Sequence, residues 1–124
     1  MKVPLLDLKA QYRRIRSEVR HVIDEVLESQ QFILGATVQR FEEEAASYLQ
    51  CDAAIGVASG SDALLLSLMA LGIRAGDAVL VPPLTFFSTV SSITRLSATP
   101  IFIDIDPESY LMDPKKVEAL QTPP

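Results

Sequence analysis

Cysteine occurs once in the 124 residues, at Cys51, which excludes a disulfide framework and any paired CxxC metal or redox site. That scarcity fits a reducing, cytoplasmic setting. Cys51 opens an apolar stretch and reads as a small buried hydrophobe. Histidine is also single, and His21 falls among helix-surface residues, so neither side chain has the partners of a nucleophilic triad. Long apolar runs are missing. The longest, Ala63 to Leu66 and then Leu68 to Leu71 after Ser67, is far short of the ~18 residues of a membrane span. Met1-Lys2-Val3-Pro4 begins no signal-peptide core, so the chain is expected to be neither spanning nor exported. A basic excess is absent as well: net charge is −5, and Arg13, Arg14, Arg16 and Arg20 share a predicted helix with Glu18, Asp24 and Glu25. Nucleic-acid binding domains carry a basic footprint that this chain lacks.

What is there is apolar. Hydrophobic residues make up 48% and the mean hydropathy is +0.24. That rules out disorder, and it is high for a chain that must cover its core unaided. The length suits one domain, but a larger parent or a partner surface would account for the excess.

Residues 9 to 30 place Ile15, Val19, Val22, Ile23, Val26 and Leu27 at helical spacing, an amphipathic helix that needs something to lie against. Gly35 breaks the pattern after Phe32, Ile33 and Leu34. A second amphipathic segment follows, with Val38, Phe41, Ala45, Tyr48 and Leu49 on one stripe and Glu42 to Glu44 solvated. From Ala53 the period changes. Residues 53–58 read as a short buried strand, 61–71 as a helix apolar nearly all round, 78–81 as a strand, roughly 88–96 as a helix and 101–105 as a third strand. Asp113-Pro114 supplies an N-cap and a proline at the first position of a last helix. Strands alternating with helices predict a parallel α/β sheet. No repeat, low-complexity tract or linker marks a boundary inside the chain. The organisation is a helical arm, 1–52, followed by the first three strands and their helices, 53–124. The alternation halts at Gln121-Thr122-Pro123-Pro124 with an incomplete layer, so the chain is expected to be the N-terminal portion of a larger domain.

Chemistry-bearing residues gather at three joins. Ala58-Ser59-Gly60-Ser61-Asp62-Ala63 links a strand to a helix. There unpaired N–H groups, a positive dipole end, a glycine and two hydroxyls suit a phosphate. Ordinary capping, with Ser59 or Ser61 as N-cap and Asp62 in the first turn, reads the same residues equally. Thr85-Phe86-Phe87-Ser88-Thr89 lies at the carboxyl end of a strand, the edge where open α/β sheets bind ligands. An aromatic there either covers a planar cofactor or packs in the core. Asp104 and Asp106 stand at i, i+2 on an extended strand, an arrangement open to metal binding or acid–base work. The competing reading has Asp106 beginning the turn that Pro107 continues and Asp104 as a local hydrogen-bond partner.

Taken in order and spacing, Val3-Pro4-Leu5-Leu6-Asp7-Leu8, Phe32-Ile33-Leu34-Gly35, Phe41-Glu42, Val57 to Leu64, Gly76-Asp77, Pro82 to Thr89 and Phe102 to Asp106 resemble the DegT/DnrJ/EryC1/StrS aminotransferases along the whole chain. The resemblance implies the large domain of a type I pyridoxal-phosphate transferase, aspartate-aminotransferase-like, with an incomplete sheet in this portion. It implies a homodimer that transfers an amino group, commonly from glutamate, onto a keto group of a nucleotide-linked sugar in sugar or polysaccharide biosynthesis, with pyridoxal 5'-phosphate as cofactor. Gly60, Ser61 and Asp62 match the turn at the cofactor phosphate, and Phe86 matches the aromatic stacked on the ring, with Phe87 as its neighbouring alternative. The Schiff-base lysine and the carboxylate that pairs with the ring nitrogen are expected beyond Pro124. Lys2, Lys9, Lys115 and Lys116 do not fall in the lysine's context, so no catalytic residue is assigned and this portion alone is expected to be inactive. Two other readings remain open: a sugar-nucleotide dehydratase of the same family, and a non-catalytic phosphate-binding α/β module. The type I fold also implies that 53–58 does not pair with 78–81, whereas 78–81 and 101–105 pair in parallel.

Overall fold

The helical and extended periods in the sequence become five helices and two strands in the computed structural model, which describes Val3 and residues 5–121. Lys2, Pro4 of the N-terminal motif, and Thr122 to Pro124 lie outside the described residues. The chain divides into two compact units, Met1–Gly56 and Val57–Pro124. No proline- or glycine-rich linker marks that division, which falls inside the 53–58 segment.

In the first unit α1 spans Leu8–Ser29 and α2 spans Ala36–Leu49. Asp7 caps α1 by accepting the Ala10 N–H at 2.9 Å. α2 starts at Gly35, where a Cβ would come within 2.9 Å of the Gln31 carbonyl oxygen, so the close approach of the two chain segments requires glycine. The amphipathic stripe of α1 is real but uncovered. No α1 residue is buried, and Ile15, Val22, Ile23 and Leu27 are all substantially exposed.

Residues 53–58, expected as a strand, form none. Extended backbone becomes a strand only when a neighbour takes up its N–H and C=O groups, and no ladder partner meets this segment among the described residues. Its Gly56 N–H instead donates to Glu42 Oε1 at 2.6 Å. Cys51, expected to be buried, is exposed, with its Sγ 3.3 Å from the Ala53 carbonyl oxygen.

The second unit holds α3 (Gly60–Ala70), β1 (Ala78–Val81), α4 (Phe87–Arg95), β2 (Thr99–Phe102) and α5 (Pro114–Gln121). β1 and β2 pair in parallel, Ala78 with Thr99 through Val81 with Phe102, around the βαβ crossover of α4. β2 begins two residues before the expected 101. Thr99 N donates to Asp77 O at 2.8 Å and Ile103 N to Val81 O at 3.0 Å. That parity turns the Pro100 nitrogen away from β1, and proline is tolerated in a strand on such an outer side. β2 also ends before the expected 105. The Asp104 carboxylate accepts the Ile105 N–H at 2.9 Å, and Ile105 turns to bridge Met112 antiparallel.

Val81, Ile93 and Ala98 form the buried core, with Leu68, Ile73, Val79 and Val90 packed on it. This small core fixes the carboxyl end of β1 and the start of α4 relative to α3. The rest of the apolar α3 surface, including Leu64, Leu66 and Met69, stays exposed. Asp113 caps α5 as its sequence suggests, its Oδ1 accepting from Lys115 N at 2.9 Å.

Candidate functional site

Ser59, with φ −162° and ψ 164°, is the N-cap of α3. Its Oγ accepts the Asp62 N–H at 3.1 Å and donates to Asp62 Oδ2 at 3.0 Å, while its carbonyl accepts the Ala63 N–H at 2.9 Å. The cap therefore consumes the N–H groups of Asp62 and Ala63. Those of Gly60 and Ser61 have no partner among the described residues, so the positive end of α3 remains available to an acceptor.

A second helix start meets the first. α4 has Phe86 as N-cap, with no side-chain cap, and among the described residues only the Thr89 N–H of its first three is taken up, by the Phe86 carbonyl at 3.0 Å. The Ser61 and Ser88 hydroxyls lie 2.6 Å apart and join the two first turns. Between them opens a cleft of about 350 Å³ lined by Gly60, Ser61, Leu64, Phe86, Ser88 and Thr89. A Cβ built on Gly60 meets no atom within 4 Å, so space stands directly above that backbone.

Phe86 and Phe87 are each 78% exposed, so neither is a core residue. Burying aromatic surface is strongly favourable, and β1 has already delivered Val81, 1% exposed, to the core just before them. Phe86 lines the cleft; Phe87 is not among its lining residues.

Asp62 does not line the cleft. Its carboxylate faces Ser59 and, at 4.0 Å, the Arg95 guanidinium. The structure thus brings Gly60, Ser61 and Phe86 together and leaves Asp62 as part of the cap. Ser88 and Thr89 are lining residues too, in a segment that sequence reasoning singled out only for its aromatic. The signal for them was a helix start with no capping residue and two hydroxyls in its first turn.

The Asp104 and Asp106 carboxylates behave as turn elements. Asp106 Oδ1 accepts from Ser109 N at 2.7 Å and Glu108 N at 3.1 Å, and these bonds, Ser109's above all, hold its pKa below the ordinary aspartate value. Asp104 is lowered by the Ile105 N–H first and by Lys116 Nζ at 3.3 Å second. Among the described residues no group of three or more His, Cys, Asp or Glu side chains is placed to hold a metal. His21 pairs with Glu25 on the surface of α1, 3.2 Å apart. A larger concavity of about 500 Å³ is lined by residues 30–35 alone; a single curl of chain brings no separate elements together. No described helix is long and apolar enough to cross a membrane.

Comparison with known proteins gives these residues a context. Residues 13–124 match the model of the DegT/DnrJ/EryC1/StrS aminotransferase family. The chain is 44% identical over 122 residues to a pleiotropic regulatory protein of Geobacillus stearothermophilus, covering 98% of this chain and 33% of the relative. It is 41% identical over 122 residues to the dTDP-3-amino-3,4,6-trideoxy-alpha-D-glucose transaminase of Streptomyces venezuelae, covering 98% of this chain and 32% of that protein. Among solved structures, Bacillus subtilis NtdA with bound cofactor PMP superposes with a TM-score of 0.91 at 32% identity, over 98% of this chain and 28% of that one. The chain spans about a third of the length of the curated relatives it matches.

Proposed function

The chain belongs to the DegT/DnrJ/EryC1/StrS aminotransferase family, and from that premise we propose that it forms the phosphate and ring-face part of a pyridoxal-phosphate site. The whole protein would move an amino group, from glutamate as donor, onto a keto group of a nucleotide-linked sugar, acting in the cytoplasm as a homodimer. The observation that carries this reading is the convergence of two incompletely capped helix starts and an exposed aromatic on one open cleft.

The residues present fit the group. Gly60 and Ser61 offer unpaired N–H donors at a positive helix end, and the absent Gly60 side chain lets backbone approach an anion. Ser61 adds a hydroxyl donor. Phe86 stands at the cleft with no core role, placed to lie against a planar ring and shield one face from water. When bound, pyridoxal phosphate supplies the electron sink through which the amino group passes. These residues anchor and orient; none of them moves the substrate's proton. That task falls to a lysine, and neither Lys115 nor Lys116 is among the residues that line the cleft. In this reading the lysine comes from sequence outside the 124 residues.

Nitrogen-15 glutamate tests the proposal. The full-length protein, given pyridoxal phosphate and a nucleotide-linked keto sugar, should place the label on the sugar and release 2-oxoglutarate. Loss of water from the sugar with no nitrogen gained would replace transamination by dehydration.

A further inference from the structure

We infer that Ser88 is a positioning residue for the phosphate site, fixing the direction in which the Ser61 hydroxyl points its proton. The inference rests on reading the cleft as a phosphate site. The Oγ atoms of Ser61 and Ser88 are 2.6 Å apart, and either can donate. Each carries one proton, so the pair has two arrangements. If Ser61 donates to Ser88, Ser61 turns only lone pairs toward the cleft, which repel an anion. If Ser88 donates to Ser61, the Ser61 proton is released to the cleft, and the chain Ser88 to Ser61 to anion runs in one direction. Ser88 also lines the cleft, but a phosphate oxygen seated on the free Gly60 and Ser61 N–H groups has the Ser61 hydroxyl beside it and accepts only. Binding there selects the second arrangement, and hydrogen bonds aligned head to tail strengthen one another.

The fold holds this geometry without help from the ligand. Ser61 sits in the first turn of α3 and Ser88 in that of α4. α4 is anchored through Ile93 and Val90 in the same core that Leu68 of α3 packs against. No other side-chain partner competes for Ser88 Oγ among the described residues. Alanine at 88 would leave Ser61 Oγ free to rotate, and its proton would have to be ordered at the moment of binding.

The test measures dissociation constants for pyridoxal 5'-phosphate and for pyridoxal, which lacks the phosphate, in the full-length protein and its Ser61→Ala, Ser88→Ala, Ser88→Thr and doubly substituted variants. Ser88→Ala should bind pyridoxal phosphate more weakly, by up to about tenfold, the size of one neutral hydrogen bond, and bind pyridoxal as the native protein does. Ser88→Thr, which keeps the hydroxyl, should restore binding, and the double variant should be no weaker than Ser61→Ala alone. Equal weakening toward both compounds would mark a packing effect and overturn the inference, even in a destabilised variant. So would full affinity in Ser88→Ala alongside a weakened Ser61→Ala, and that result leaves the phosphate reading intact. Full affinity in Ser61→Ala would overturn both.

Discussion

Ser59 and Asp62 cap each other: the Ser59 hydroxyl accepts the Asp62 N–H at 3.1 Å and donates to the Asp62 carboxylate at 3.0 Å. This reciprocal bond decides which N–H groups of α3 are spent on the fold and which remain for a ligand. Ser59→Ala should lower unfolding stability by about 1 kcal/mol, the usual worth of a serine cap. Denaturant titration of the full-length protein checks this, and an unchanged midpoint would mean the cap does not hold the turn.

Gly60→Ala separates folding from binding. The new methyl meets no atom within 4 Å, and replacing glycine in a helical turn removes unfolded-state freedom, so stability should hold or rise by roughly 0.5 kcal/mol. Affinity for pyridoxal phosphate should fall, because the methyl stands beside an N–H that must reach the phosphate. A variant that melts no earlier yet binds as tightly as the native protein would remove Gly60 from the site.

Phe86→Ala should leave stability within about 0.5 kcal/mol, as for other surface changes, since the ring is 78% exposed. It should weaken cofactor binding about three- to tenfold, the range of an aromatic stacking pair. Phe87→Ala, at a residue that does not line the cleft, should not weaken it. The reverse pattern, read in the same cofactor titration, would hand the stacking role to Phe87.

Acid should act through the turn at Asp106. Its carboxyl is held below the ordinary aspartate value, near 3.9, by the N–H groups of Ser109 and Glu108. A depressed native pKa contributes stability that is complete above the unfolded value and is lost as pH falls through the native one. Asp106→Asn keeps an acceptor oxygen but no charge. The variant should melt below the native protein at pH 7, and the gap should close as pH falls below the ordinary aspartate value. A gap that stays constant across that range would show that charge plays no part in the turn.

The fold was legible wherever local pattern decides it. The 3.6 period of α1, the Asp113-Pro114 start of α5 and the Val79-Leu80-Val81 strand all appear in the structure close to where their residues imply. The parallel pairing of β1 with β2 is the one expected of the type I fold. What local pattern could not supply was pairing. Residues 53–58 carry an apolar run like a buried strand, but ladder bonds require a neighbour. At the site, Ser59 to Asp62 and the Phe86-Phe87 pair stood out by residue type, and the family resemblance chose Phe86. Ser88 did not, because its meaning lies in a 2.6 Å contact with a residue 27 positions away.

A crystal structure of the full-length protein with pyridoxal phosphate bound tests the central claim most directly, through the distances from the phosphate oxygens to α3. The account predicts hydrogen bonds of about 2.7 to 3.2 Å from the Gly60 and Ser61 N–H groups and the Ser61 hydroxyl, with the Phe86 ring across the face of the pyridine. A phosphate bound elsewhere, with the cleft lined by Ser61 and Ser88 filled by the protein's own side chains, would contradict it.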